Sequence, residues 1–200
     1  MAIAEELGRQ VKRLALLLGL AILGFAALLV WNAREPAAGD RGGFDLFAFF
    51  EGTSVSRGTI TTLLVDREAF TARFFGERQG EAFRLEERFD FEDGERLQVW
   101  HLRTVPGGYE GTVETERANG SMAPPVPVIG VSDAVGVRLA YDGVAPGGGM
   151  PLGFRHLMRM QGDGTVANHV VVSRFGLPLA TSSVVFAKAT AALPSAEAER

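Results

Sequence analysis

From Phe44 onward apolar and polar positions alternate along the chain, whereas the stretch ending at Trp31 is apolar without interruption. Runs rich in Val, Phe, Thr and Leu recur between turns containing Gly, Pro or Asp. A period of two in short, turn-bounded runs predicts strands rather than helices. The pattern predicts strands near 52–64, 68–77, 82–92, 95–105, 109–116, 134–142, 152–161, 165–174 and 180–187. Eight or nine strands joined by short turns predict an all-β fold, an antiparallel up-and-down barrel, because closure removes exposed strand edges. The segment 118–133 (ANGSMAPPVPVIGVSD) breaks the pattern, and its three prolines argue against a central strand there. Two readings of it stand: a lid over a barrel mouth, or a long surface connection.

Ahead of the barrel, Leu14 to Trp31 (LALLLGLAILGFAALLVW) is eighteen residues without a charge. At helical rise that is about 27 Å, enough to cross the hydrocarbon core of a bilayer. Arg9, Lys12 and Arg13 precede it, so the positive-inside rule keeps residues 1–13 in the cytoplasm and places the barrel in the periplasm, a single-pass inner-membrane topology. A basic segment before an apolar run also suits a cleaved signal peptide. Cleavage after Ala33 or Ala38, however, puts Trp31 or Pro36 where a small residue is needed. Retention is therefore expected, with 14–31 as the anchor, 32–43 as a Gly-, Ala- and Pro-containing linker, 44–188 as the barrel and 189–200 as a frayed tail.

Composition narrows the chemistry. Residues 40–200 carry 16 basic and 21 acidic side chains, and a mildly acidic domain repels phosphate backbones, which argues against nucleic-acid binding. The same balance disfavours flat adsorption to anionic lipid, so the helix must provide the membrane attachment. Without cysteine there is no disulfide, thiolate site, cysteine nucleophile or lipidated N-terminal cysteine. His101, His156 and His169 lie far apart in sequence, with no pair at ligand spacing, so neither a metal nor any other cofactor is expected. Gly147-Gly148-Gly149 is followed by no Lys-Ser/Thr and reads as a turn. Ser121 lacks the second glycine of a nucleophile elbow, and Asp163-Gly164 is a hairpin turn.

One hairpin can be placed in register. Phe83, Leu85, Phe89 and Phe91 share a face, and Asp93-Gly94 is a two-residue turn signal. With that loop, Phe89 opposes Gln98, Glu87 opposes Trp100 and Leu85 opposes Leu102, while His101 falls outside opposite Glu86. The buried aromatic face then contains a carboxylate, Glu87. Such a group holds the polar head of a ligand or transfers a proton, or else is a structural ion paired with Arg96, Arg155, Arg174 or the Trp100–Gln98 pair. The fourteen phenylalanines either line an apolar cavity or fill a small barrel's core.

Several segments together resemble one family: FDLFAFFEGTSVSRGTITTL (44–63), LEERFDFEDGERLQVWHL (85–102), GGYEGTVE (107–114) and VVVSRFGLPLATSSVVFAK (170–188). They are similar to the bacterial envelope proteins grouped as domain of unknown function 3833. The matching pieces include Phe49-Phe50-x-Gly52, Leu85-x-Glu87-x-Phe89 with Asp93-Gly94, Trp100, Tyr109-x-Gly111, Tyr141, Asn168 and Arg174-Phe175-Gly176. The chain departs from the family in lacking a lipidated cysteine. Arg155-His156-Leu157-Met158 replaces the usual Asp-Asp-Trp-Met, and His169 replaces a basic residue after the Asn. The resemblance implies a lipocalin-like barrel and an association with lipid-modifying enzymes, and carries no catalytic motif. Residues and resemblance together lead to a membrane-tethered domain that binds or transfers a lipid or other hydrophobic molecule. The candidate ligand-binding residues are Glu87, Phe89, Gln98, Trp100, Tyr109, Tyr141 and Arg174. The alternatives are an enzyme using Glu87 as acid or base, and a ligand-free structural partner of a membrane complex.

Overall fold

A computed structural model describes residues 2–35 and 42–193, with side chains from Lys12 onward except Arg13 and Ala191. Helix α1 (Ala2–Asn32) precedes a short helix α2 (Leu46–Phe50) and ten strands: β1 (Gly52–Thr62), β2 (Asp66–Gln79), β3 (Ala82–Phe91), β4 (Gly94–Val105), β5 (Gly108–Thr115), β6 (Val126–Asp133), β7 (Gly136–Gly143), β8 (Leu152–Met160), β9 (Val166–Arg174) and β10 (Leu177–Ala187). Each strand pairs antiparallel with the next, and β1 pairs with β10, so the meander closes into a barrel. The all-β up-and-down expectation holds. The strand number exceeds the eight or nine expected by one or two.

The missed strand is β6, which lies within the proline-bearing segment. Pro124 and Pro125 precede it, and Pro127 is its second residue. Pro127 faces Thr112 on β5, while pairing with β7 begins only at Val128. A proline at a strand's start removes no central ladder bond. The remainder, residues 116–125, is a connection rather than a lid. It hydrogen-bonds to the barrel through Ala123 N to Thr115 O (2.8 Å), and the loop 144–151 is the one that reaches over the cavity.

The β3–β4 register also differs from the sequence reading. Phe91 pairs with Gly94, so the loop is Glu92-Asp93, and Gly94 spends its positive φ of 122° on the first residue of β4. Every pair moves by two residues: Glu87 opposes Gln98, Leu85 opposes Trp100 and Phe89 opposes Arg96. A two-residue shift preserves parity, so Glu87 and Trp100 still face inward. His101 is half-exposed opposite Arg84.

The two ends of the barrel differ. One is plugged by α2. Asp45 caps that helix, its Oδ1 accepting from Phe47 N (2.9 Å) and Ala48 N (3.1 Å), and Lys188 Nζ donates to the carbonyls of Phe49 and Glu51 (2.7 Å each) at the other terminus. Phe47 stacks on Phe83 at 4.5 Å, and Phe50 packs between Phe74 and Phe186. Close approach of α2 is possible because β2 carries Gly76, where a Cβ would stand 2.1 Å from Phe50 O. The other end is a mouth ringed by the β1–β2, β3–β4, β5–β6, β7–β8 and β9–β10 connections.

Helix α1 contains a stretch, Leu14–Asn32, long and apolar enough to cross a membrane, with a mean hydropathy of 2.6. Length and composition alone fit a span or a signal sequence equally. Of linker 32–43, residues 36–41 lie outside the described residues, as does 194–200 of the tail. Where the chain rejoins the barrel, Gly43 N donates to Ala134 O (3.2 Å) and Gly42 O accepts from Met160 N (3.0 Å), at the plugged end.

Candidate ligand-binding cavity

Inward-facing residues of eight strands leave a cavity of about 340 Å³ in the mouth half of the barrel. Phe70, Phe89, Phe91, Val170, Val172 and Phe186 give it an apolar wall. The phenylalanines therefore take both expected roles at different heights, filling the plugged end and lining the open one. Beneath the cavity lies a polar belt made by Glu87 of β3, Gln98 of β4, Tyr141 of β7, His156 of β8, Asn168 of β9 and Ser182 of β10. A second void of about 50 Å³ separates Glu87, Trp100 and His156 from the α2 plug.

Glu87 sits in this belt with no cation beside it among the described residues. Trp100 Nε1 donates to its Oε2 at 3.3 Å from the adjacent strand. Burial raises its carboxyl to about 8, with the indole bond acting weakly the other way. It is therefore mostly protonated at neutral pH. The arginines considered as partners lie elsewhere. Arg96 pairs with Asp93 at 2.8 Å, Arg155 is exposed on the outer wall, and the Arg174 guanidinium stands 4.9 Å from the centroid of the Phe175 ring at the lip.

The rest of the belt is also neutral. Burial holds His156 down at about 4, so its ring is uncharged at pH 7. Its Nδ1 lies 3.3 Å from Asn168 Nδ2; with the amide donating, the ring proton resides on Nε2. Gln98 Nε2 donates to Thr115 Oγ1 (2.7 Å) and Tyr141 OH (3.3 Å). Burial, opposed by the Gln98 bond and reinforced by Glu87, keeps the Tyr141 phenol protonated. His156 Nε2, Asn168 Oδ1 and Ser182 Oγ are buried without a hydrogen-bond partner among the described residues. Since unpaired buried polar atoms cost on the order of 1–3 kcal/mol each, three in one cavity call for an explanation.

Of the expected binding residues, Glu87, Phe89, Gln98 and Tyr141 line the main cavity, and Trp100 lines the void below it. Tyr109 is at the plugged end, where its hydroxyl accepts from Leu46 N at 3.2 Å and its ring lies 5.1 Å from Phe47. Arg174 is at the mouth and is not part of the cavity wall. Sequence reasoning left out His156, Asn168 and Ser182 as binding residues. Alternation carried the signal: Phe154 and Met158 flank His156 at spacing two, and Val166 and Val170 flank Asn168.

No curated protein matches the chain. The resemblance carried by the hairpin, the Tyr109 strand and the closing Arg174-Phe175-Gly176 is upheld over the whole barrel. The chain belongs to the family described as protein of unknown function (DUF3833), whose model matches residues 32–188.

Proposed function

We propose that this barrel is a binding or transfer module for a lipid or other hydrophobic molecule, held on the periplasmic face of the inner membrane by α1. The observation that carries the reading is an apolar cavity, about 340 Å³ and open at one end, with three unpartnered polar atoms at its base. Its size falls at the lower end of small-molecule pockets. Each buried methylene of a ligand contributes about 0.8 kcal/mol, so an acyl or isoprenoid segment supplies affinity and the belt supplies orientation. Among the described residues the lining contains no Arg or Lys and one protonated carboxyl, an environment for a hydroxyl, carbonyl or amide and against a phosphate or carboxylate.

The enzymatic alternative has one observation in its favour. Glu87, raised to about 8, is poised to donate or accept a proton near neutral pH. Ligand-free structural service is disfavoured by the cavity itself. The test compares a fluorescent long-chain alcohol with the matching carboxylate at pH 7, where Glu87 is mostly protonated. The alcohol is expected to bind at least tenfold more tightly, an energy difference of about 1.4 kcal/mol. Equal affinity would remove the neutral-head argument, and no binding of either would remove the ligand reading. Recovery of a chemically altered probe would favour the enzyme.

A further inference from the structure

The rim of the barrel's mouth is apolar where its turns are tightest. The β1–β2 turn carries Leu63, Leu64 and Val65, and the β9–β10 turn carries Phe175 followed by Leu177. Leu63, Leu64 and Phe175 hold φ of 49°, 70° and 52°, positions where Gly or Asn is the ordinary choice. Val65 is 84% exposed and Phe175 94%. With Leu63, Met150 and Leu177 they make five exposed large hydrophobics on mouth connections. Phe75, Ile129 and Val131 lie instead on the outer wall, and Val135 at the plugged end.

Helix α1 leaves the barrel at this same lip. Its last turn buries Leu29 beside Leu64, Pro178 and Leu179, and Asn32 Nδ2 donates to Thr181 Oγ1 at 3.4 Å. Large apolar residues from Leu14 to Leu28 are all exposed, so this part of the helix has no packing partner in the barrel. The nineteen residues Leu14–Asn32 rise about 28 Å, and a hydrocarbon core needs about 30 Å. A span of that length has no turn to spare. The last turn must stand at the membrane–water interface, where Trp31 with Arg34 over its ring (4.2 Å) is at home. The lip fixed to that turn is then at the interface too.

We propose that the mouth docks onto the bilayer that α1 spans, with the β1–β2 and β9–β10 tips inserted among the lipids and the cavity opening toward the membrane. This rests on reading α1 as a retained span. Beside the β1–β2 tip, toward the β3–β4 turn, Asp66, Glu92 and Asp93 lie close enough to Glu68 to repel it. That acidic lip stays in water, so the barrel leans toward its α1 side. Docking explains why leucines and a phenylalanine occupy turns that glycine or asparagine would form more easily. It also gives a hydrophobic ligand a route that avoids bulk water.

Because the chain has no cysteine, single probes can be placed without removing native residues of that type. The full chain, inserted in lipid nanodiscs, would carry an environment-sensitive fluorophore at Val65→Cys or Phe175→Cys. Leu177→Cys supplies a second probe on the same lip should the substitution at 175 disturb its turn. Leu23→Cys marks the span, and Glu92→Cys and Val135→Cys mark the acidic lip and the plugged end. Quenching by spin-labelled lipids and a blue-shifted emission are expected at 23, 65 and 175, with neither at 92 and 135. A lipid signal at 23 with water signals at 65, 175 and 177 would overturn the docking and leave the tether standing. A water signal at 23 as well would overturn both.

Discussion

Replacing Glu87 by glutamine keeps the size of the side chain and an acceptor for the Trp100 indole while removing the titrating carboxyl. In the folded chain this carboxyl stands at about 8, against 4.5 as its ordinary value, and burial is the main cause. That displacement corresponds to about 5 kcal/mol at 1.36 kcal/mol for each pH unit. The sign follows from proton counting. Between pH 4.5 and 8 the folded state keeps a proton that the unfolded state has released, so stability falls as pH rises through this window. The contribution is fully present below 4.5 and lost above about 8. Glu87→Gln abolishes this part of the pH dependence, so the variant should be near wild type at pH 4.5 and more stable by about 3 kcal/mol at pH 7. The assay is urea unfolding of the full chain in detergent from pH 4.5 to 8.5, followed by Trp100 fluorescence after Trp31→Phe, since the chain has two tryptophans. Parallel pH profiles for the two proteins would refute the reasoning, because they would mean that Glu87 is ionised beside a partner.

The plug offers further tests. Gly76→Ala forces a methyl against Phe50 O and the Phe83 ring and should cost about 1–3 kcal/mol in unfolding free energy. Asp45→Ala removes the α2 cap and should cost about 1 kcal/mol, read as a lower urea midpoint. Tyr109→Phe should cost about 1 kcal/mol through the lost bond to Leu46 N and leave affinity for a fluorescent long-chain alcohol unchanged, because Tyr109 is remote from the cavity.

The barrel was legible because alternation is a strong signal wherever a strand has one dry face. It failed at β6, where prolines outweighed Val126, Val128 and Val131. Whether a proline stands at a strand's start or its middle depends on pairing with β7, which is a tertiary matter. The β3–β4 register differs by two because Asp93-Gly94 is a turn signal, whereas Gly94 opens β4. Both loops are two residues long and share Asp93, and only the partner strands decide between them. Parity survived the error, so the Glu87–Trp100 contact was readable. Helix α2 was not: five residues with three phenylalanines carry too little periodicity, and the cap at Asp45 matters only once Gly76 lets the helix seat. In sequence, His156 stands out only as a departure from the family pattern and Asn168 only as a match to it; what places both in the cavity is the face they share with their apolar neighbours.

Mass spectrometry of small molecules released from the full chain purified out of membranes tests the central claim most directly. The comparison is with Val172→Phe, which fills the cavity from its wall. A hydrophobic molecule with a neutral polar group is expected with the wild type and should be lost or strongly reduced in the variant. The same profile from both proteins, or no bound molecule from the wild type, would contradict the binding function.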